Sequence, residues 1–496
     1  MRAAPAPLPP QLRVDGDPVA VTASAAALLD RSGHTGRAGE VTVLRQPLHA
    51  PYQVLMVGVG TGDEAGWRAA GAATGRTLRQ DVAGGEVPDP PCVVAIEPTA
   101  GPAAVRGFAE GCALAGYRFT VARAGLSTVA RAGLDPGPGA RTDADVPVLL
   151  AAPADPAERA SWQQALRQAA VTASATCLAR DLTNMPSSIK TPAWMAEQIT
   201  AAAAGLAGLT VTVRGPAELA AEGFGGLLAV GGGSAAPPCL VEIDWSPPRP
   251  RRHVVLAGKG ITFDTGGVSI KPVDGMRLMR KDMGGAAAVA ATAIGAAALD
   301  LPVRLTVLIP LAENMVSGSA FRPGDVVRHY GGLTSETTNS DAEGRLVLAD
   351  VIAYAASRLR PDYLIDLATL TGANAIALGR RTAALYSDNG ALAADLLAAS
   401  AAAGENAWRM PLATDYAEYL GSDLADLFSA PDRGAGSVVA ALYLREFTGE
   451  LRTRWAHYDM SAPAWSDEEH AELVKGATGW GVRTLLRWLA SLDRPA

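Results

Sequence analysis

Between Val41 and about Leu150, short apolar runs (VTVL, YQVLMVGV, CVVAIE, VPVLLAAP) alternate with Ala-rich stretches of helical composition such as Ala65–Arg79 and Pro102–Ala115. Bounded runs of this kind read as strands, and their alternation with helical stretches predicts an α/β domain. From Pro156 to Asp181 the pattern changes to ERASWQQALRQAAVTASATCLARD, helix-forming throughout and long enough for about seven turns at 3.6 residues each. In TNMPSSIKTPAWMAEQI, Pro186 then ends one element, and Thr191-Pro192 supplies an N-cap and a first-turn proline for the next. Strand-like runs recur beyond it: LTVTVRG, PPCLVEIDW, RHVVLAGKG, VRLTVLIPL, DYLIDLATL and WAHYDM, with helical stretches between most of them.

The expected architecture is α/β throughout. A smaller N-terminal α/β domain over 1–155 is joined by a helix over 156–181 to a larger α/β domain over 182–496 with a mixed central sheet. Its chemistry is expected on loops at strand ends, where open sheets place their ligands. In the first domain, Gly58-Val-Gly60-Thr-Gly62 follows a strand and precedes a helix, as a dinucleotide loop does. Position 63 is Asp where the full spacing needs Gly, so the stretch reads as a plain tight turn.

Composition narrows the classes. Of 496 residues, 49% are hydrophobic and 19% charged, enough apolar material for two cores and no signal of disorder. A net charge of -7 with pI near 5.5 provides no basic footprint for nucleic acid. Cys92, Cys112, Cys177 and Cys239 are scattered without a CxxC pair, which favours reduced thiols and a cytoplasmic setting. The N-terminal MRAAPAPLPPQLRVDGD lacks the continuous apolar core of a secretory signal. The stretch Gly284–Leu299 falls short of the roughly 20 residues a membrane span requires and reads as a buried helix.

Three segments concentrate charge, the first of them directly after the apolar strand HVVLAG. KGITFDTGGVSIKP sets Lys259, Asp264 and Lys271 on a Gly-rich loop. MRKDMGG places Asp282 before the Ala-rich helix, where it serves either as a ligand or as a cap. In NSDAEGRL, Asp341, Glu343 and Arg345 alternate and would share one face of an extended segment; alone, that is also how a solvated strand edge reads. Together the four carboxylates would balance two divalent cations, and hard oxygen donors suit Zn, Mn or Mg. None of the six histidines lies in these segments, which argues against a His-based zinc site. Lys259 would act as a metal ligand only as a neutral amine, and otherwise as a counter-ion.

These residues resemble the leucine aminopeptidase, or cytosol aminopeptidase, family of two-metal peptidases. NSDAEGRL differs from the family's NTDAEGRL only at Ser340, which keeps the hydroxyl, and GKGITFDTGGVSIKP, MRKDMGGAAAV, DLATLTGA and GATGWGVRTL follow the family's order from about Arg180 to Leu489. The resemblance implies one metal held by Asp264, Asp341 and Glu343, and a second by Lys259, Asp264, Asp282 and Glu343, with Asp264 and Glu343 bridging. It implies that Lys271 stabilises the developing oxyanion and that Arg345 holds a bicarbonate serving as general base. Met279, Thr369, Leu370, Gly372, Ser461 and Ala464 match the substrate-side pocket. The family's DIAG is DMSA here (Asp459 to Ala462), which puts leucine preference in question. The implied activity is release of N-terminal residues from peptides with a free amino end, in a homohexamer whose sites face an interior cavity.

Other readings remain open at this stage. Paired dications also serve phosphoesterases. Some relatives act as DNA-binding architectural factors, and the Gly58–Gly62 turn leaves a nucleotide-regulated first domain as a further alternative.

Overall fold

The computed structural model describes residues 13–14, 32–45, 53–83, 92–94, 100–119, 148–150 and 153–492. Apart from Arg13 and Val14, the N-terminal segment read above as carrying no signal lies outside them. The chain divides into two compact units, residues 1–177 with 467–475, and residues 178–466 with 476–496. The helix expected after Pro156 runs unbroken over Pro156–Asn184, and the division falls inside it.

In the first unit, strands Val41–Arg45 and Gln53–Val57 pair antiparallel, and Arg13–Val14, Val148–Leu150 and Cys92–Val94 form a parallel sheet. Helices Glu64–Ala83 and Gly101–Gly116 pack against each other, with Ala70, Ala104, Val105, Phe108, Leu150 and Trp162 in the core. The pair is Ala- and Gly-rich because the backbones nearly touch: a Cβ on Gly71 would lie 2.0 Å from the Phe108 carbonyl oxygen. The Gly58–Gly62 stretch is a turn packed by its own domain, since a Cβ on Gly58 would lie 2.2 Å from the Arg37 carbonyl oxygen. Asp63, the residue that breaks the dinucleotide spacing, caps the following helix by accepting the Gly66 amide at 2.8 Å.

The second unit is built on a mixed nine-stranded sheet. Its strands are β1 (Leu209–Arg214), β2 (Cys239–Trp245), β3 (His253–Gly258), β4 (Gly260–Asp264), β5 (Arg304–Asn314), β6 (Tyr363–Ala368), β7 (Ala383–Tyr386), β8 (Ala407–Arg409) and β9 (Trp455–Asp459). The order is β8-β7-β9-β6-β3-β5-β2-β1, with β4 continuing from β3 to pair with β5. The central run β5-β3-β6-β9 is parallel, and antiparallel pairs flank it. All six expected runs form strands; β4 was read above as part of a Gly-rich loop, and β7 and β8, short and bordered by Ala-rich helix, were not anticipated.

The parallel strands are buried almost end to end, the pattern of a sheet covered on both faces. On one face Val255, Ala257, Leu308 and Leu364 meet the helices Glu343–Tyr354 and Gly436–Glu446. The Ala-rich helix Gly284–Ala298 approaches the ends of β3 and β6 so closely that a Cβ on Gly285 would sit 2.2 Å from the Leu367 carbonyl oxygen. Its small side chains therefore serve backbone approach, and its all-round apolar surface is explained by burial. No helix among the described residues is long and apolar enough to cross a membrane.

Candidate metal centre

The site lies where the parallel strands end. Lys259 follows β3, Asp264 closes β4, Thr369 follows β6 and Asp459 closes β9. Between β4 and β5 the register slips, Ala312 facing Ile261 but Asn314 facing Asp264, so an extra residue on β4 re-aims Asp264. The Asn314 amide then donates to Asp264 Oδ1 at 2.9 Å and to the Ser340 carbonyl at 2.9 Å, and the Gly266 amide donates to the same Oδ1 at 2.8 Å.

The two lysines separate the four carboxylates into pairs. Lys259 Nζ lies 2.9 Å from Asp282 Oδ2 and 2.8 Å from Glu343 Oε1, and it donates to the Thr369 carbonyl at 3.0 Å. Lys271 Nζ lies 2.8 Å from Asp264 Oδ2 and 2.5 Å from Asp341 Oδ1. One carboxylate oxygen each of Asp264, Asp341 and Glu343 falls within 4.8 Å of the others. Asp264, Asp282 and Glu343 are buried. Burial, followed by the Glu343 charge, holds the Asp264 carboxyl up to about 6. Burial likewise raises Asp282 and Glu343. It pushes the Lys259 amine down, but Asp282, Glu343 and Asp264 more than reverse this and keep it protonated in the metal-free chain.

These residues fit divalent cations. Four carboxylates against two ammonium groups leave two negative charges in the site, and Glu343 Oε2 is buried without a hydrogen-bond partner among the described residues. An isolated buried carboxylate costs several kcal/mol, and a cation removes that cost.

Two local expectations are corrected. Asp341, Glu343 and Arg345 do not share the face of an extended segment: Ser340 and Asp341 lie in a turn, and Glu343 opens the helix Glu343–Tyr354. The start of the helix, not strand alternation, places Glu343 in the site, while Arg345, about half a turn on, donates from Nη1 to the Ser429 carbonyl at 2.6 Å. Asp282 is not a helix cap either; Met283 occupies the cap position, and Asp282 Oδ1 accepts the Thr369 hydroxyl at 2.8 Å. Arg345 is buried, which lowers its pKa, and its Nε has no hydrogen-bond partner. The Ser340 hydroxyl ties the two loops, accepting the Ser269 amide at 2.8 Å and donating to the Gly266 carbonyl at 2.7 Å.

Of the pocket residues, Thr369 and Ala464 meet at Gly284, whose added Cβ would lie 3.7 and 3.8 Å from them, with Met460 at 3.6 Å. Met279 is half-buried in the turn Met279–Lys281, Leu370 is half-buried, and Gly372 is exposed. Asp459 organises this wall: it accepts the amides of Leu370 (3.1 Å), Thr371 (2.9 Å) and Ser461 (3.2 Å), the Thr371 hydroxyl (2.6 Å) and the Asn374 amide (2.7 Å). The Ser461 hydroxyl donates to the Thr371 carbonyl. Sequence reasoning missed Asn314, Asp459 and Met460; the available signal was a polar residue closing an otherwise apolar strand, as in LIPLAEN and AHYD.

The sequence model of the cytosol aminopeptidase family's catalytic domain matches residues 177–486, and that of its N-terminal domain matches 18–125. The chain belongs to this family. It is 40% identical over 494 residues to a Micrococcus luteus protein described as a probable cytosol aminopeptidase, covering 96% of this chain and 92% of that one. A Chlorobium limicola protein of the same description is 42% identical over 386 residues, 77% of this chain and 74% of its own. Among solved structures, bottromycin maturation enzyme BotP in complex with Mn superposes with TM-score 0.81 at 38% identity, covering 96% and 97% of the two chains. A mutant of tomato leucine aminopeptidase superposes with TM-score 0.78 at 28% identity, covering 94% and 86%. This member of the family is thus a metal-dependent aminopeptidase, a hydrolase acting on peptides.

Proposed function

We propose that Asp264, Asp341 and Glu343 hold one divalent ion and Lys259, Asp264, Asp282 and Glu343 the other, manganese or zinc in each, for removal of leucine and similar residues from free peptide amino ends. The observation that carries this reading is the buried excess of carboxylate charge, with Glu343 Oε2 unpartnered. When bound, such a pair of ions lowers the pKa of a water and polarises the scissile carbonyl. The chain's own groups complete the chemistry. Lys271, kept protonated by Asp264 and Glu343 against the opposing effect of burial, offers its ammonium to the oxygen that gains charge. Lys259, which lies between Asp282 and Glu343, would serve as a ligand only as the neutral amine, so metal binding would release its proton. Arg345, with Nε free, has donors left for a bicarbonate that would serve as base, and its planar fork suits that anion. The cluster of Gly284, Thr369, Met460 and Ala464 forms an apolar wall suited to an aliphatic side chain.

A hexamer is consistent with exposed apolar groups beside the site, Ile270 (64% exposed), Val273 (83%) and Ile376 (90%). The cytoplasm suits the family's description.

The test is hydrolysis of aminoacyl-p-nitroanilides by chelator-treated protein before and after return of manganese or zinc. Activity that returns with metal, falls off from leucine to charged residues, and is absent for the N-acetylated substrate is the expected result. Equal rates for the acetylated substrate, or faster cleavage of an aryl phosphate, would overturn it.

A further inference from the structure

A second cluster of charge, in the first unit, has the opposite sign. Arg76 and Arg79 lie three residues apart on the helix Glu64–Ala83 and so share a face, and Arg118 follows the helix Gly101–Gly116. Among the described residues, one carboxylate serves the three guanidinium groups: Glu469 lies 3.6 Å from Arg76 Nε and 3.4 Å from Arg118 Nη1. Arg76 directs Nη2 to the carbonyls of Ala471 and Leu473, and Arg118 donates to the Tyr117 carbonyl at 3.1 Å. Arg79 has no such outlet. Its Nε, Nη1 and Nη2 are all shielded from solvent, and none has a hydrogen-bond partner among the described residues.

The Arg79 guanidinium lies against Gly116, where an added Cβ would come within 3.3 Å of Nη1. Burial first, and then the charge of Arg118, push its pKa down to about 10, with Glu469 opposing and Arg76 adding to the fall. Elsewhere in the same unit, buried arginine is matched: Arg68 pairs with Glu110 and Glu64, and Arg106 with Glu64. A guanidinium whose three nitrogens lack an acceptor, in a cluster that carries two positive charges in excess, is what an oxyanion site looks like before its anion arrives.

We propose that Arg79, flanked by Arg76 and Arg118, binds a small phosphate-bearing anion in the N-terminal unit, as free phosphate or as a phosphate monoester. Charge balance favours a dianion, because Glu469 neutralises one of three cations. The site lies within the first unit and does not depend on the reading of the metal centre.

The experiment is titration calorimetry and thermal unfolding of the full-length, metal-loaded protein with inorganic phosphate and, separately, with AMP, using wild type, Arg79→Gln and Arg79→Met. Phosphate also meets the metals, so the difference between wild type and variant is the reading. The wild type is expected to bind one phosphate more than either variant, and its Tm to rise by about 5 °C at a concentration about a hundredfold above Kd. Without anion, Arg79→Met should melt no lower than wild type, since it removes an unpaired buried charge. Peptidase activity should be unchanged in both variants. Arg79-dependent binding of phosphate alone would identify the free ion, and binding of AMP as well would identify a monoester. Identical phosphate and AMP isotherms in wild type and both variants would overturn the proposal. If a variant failed to fold, Arg79→Lys, which keeps the charge but loses the fork, should retain a weakened phosphate signal; undiminished affinity in it would equally count against the site.

Discussion

Gly344 is the sharpest probe of the metal centre. It occupies the second position of the helix Glu343–Tyr354, and a methyl group there would lie 2.5 Å from Lys259 Cε, 2.7 Å from Cδ and 2.7 Å from Nζ. Apolar heavy atoms settle at about 3.5–4.0 Å, so in Gly344→Ala the end of Lys259 must withdraw by about 1 Å. The backbone need not move, and alanine gains about 1 kcal/mol over glycine within a helix. The withdrawal breaks at least one of the contacts that hold Nζ, at 2.8 Å to Glu343, 2.9 Å to Asp282 and 3.0 Å to the Thr369 carbonyl. These opposing effects keep the fold intact. A displacement of about 1 Å at a reacting centre costs on the order of a hundredfold in rate, or about 2.7 kcal/mol. The expected result is a folded protein with a Tm near wild type, kcat/KM on leucyl-p-nitroanilide down about a hundredfold, and less metal retained after dialysis. Wild-type kcat/KM together with full metal content would refute both the proposed role of Lys259 and the steric argument.

Three further outcomes follow from the same geometry. Asn314→Leu leaves Asp264 Oδ1 and the Ser340 carbonyl without a side-chain donor, which should lower stability by about 1–3 kcal/mol and weaken metal affinity by about 10–100-fold; chemical denaturation and metal titration read the two effects, and unchanged affinity would remove Asn314 from the site. Asp459→Asn sets a donor against amides that now share a carboxylate, so KM should rise by about tenfold while kcat changes less, since charge-assisted bonds of this kind contribute about 1.5–3 kcal/mol; an effect on kcat alone would contradict a role in shaping the pocket wall. In the metal-free protein, the folded-state pKa of Asp264 is raised to about 6 from 3.8, so the folded state holds its proton more tightly; the associated stability is full below about 3.8 and is lost as pH rises through about 6. Manganese requires the carboxylate and acts in the other direction, so the Tm increase on adding it should be much larger at pH 7.5 than at pH 5; equal increases at both would be inconsistent with this linkage.

The sequence by itself determined the local elements and the chemical inventory. Six apolar runs became six strands, Thr191-Pro192 capped its helix through the Trp194 amide, and the Ala-rich stretch before Leu299 became a buried helix. These follow from periodicity and capping within a few residues, which the order of side chains carries directly. The three charged segments were legible as one constellation only because their residue types are costly to bury unpaired. What the tertiary structure alone decided depends on register and on contacts far apart in sequence. The slip between β4 and β5 brings Asn314 to Asp264, and the pairing of β6 with β9 brings Asp459 to the loop after Ala368. The helical start at Glu343 replaces the extended segment that alternation of Asp341, Glu343 and Arg345 suggested. The grouping of Asp467–Lys475 with the first unit, and with it Glu469 beside Arg76 and Arg118, likewise joins residues about 390 positions apart. No periodicity encodes such meetings; they are set by how closely glycine and alanine faces let helices and strands approach.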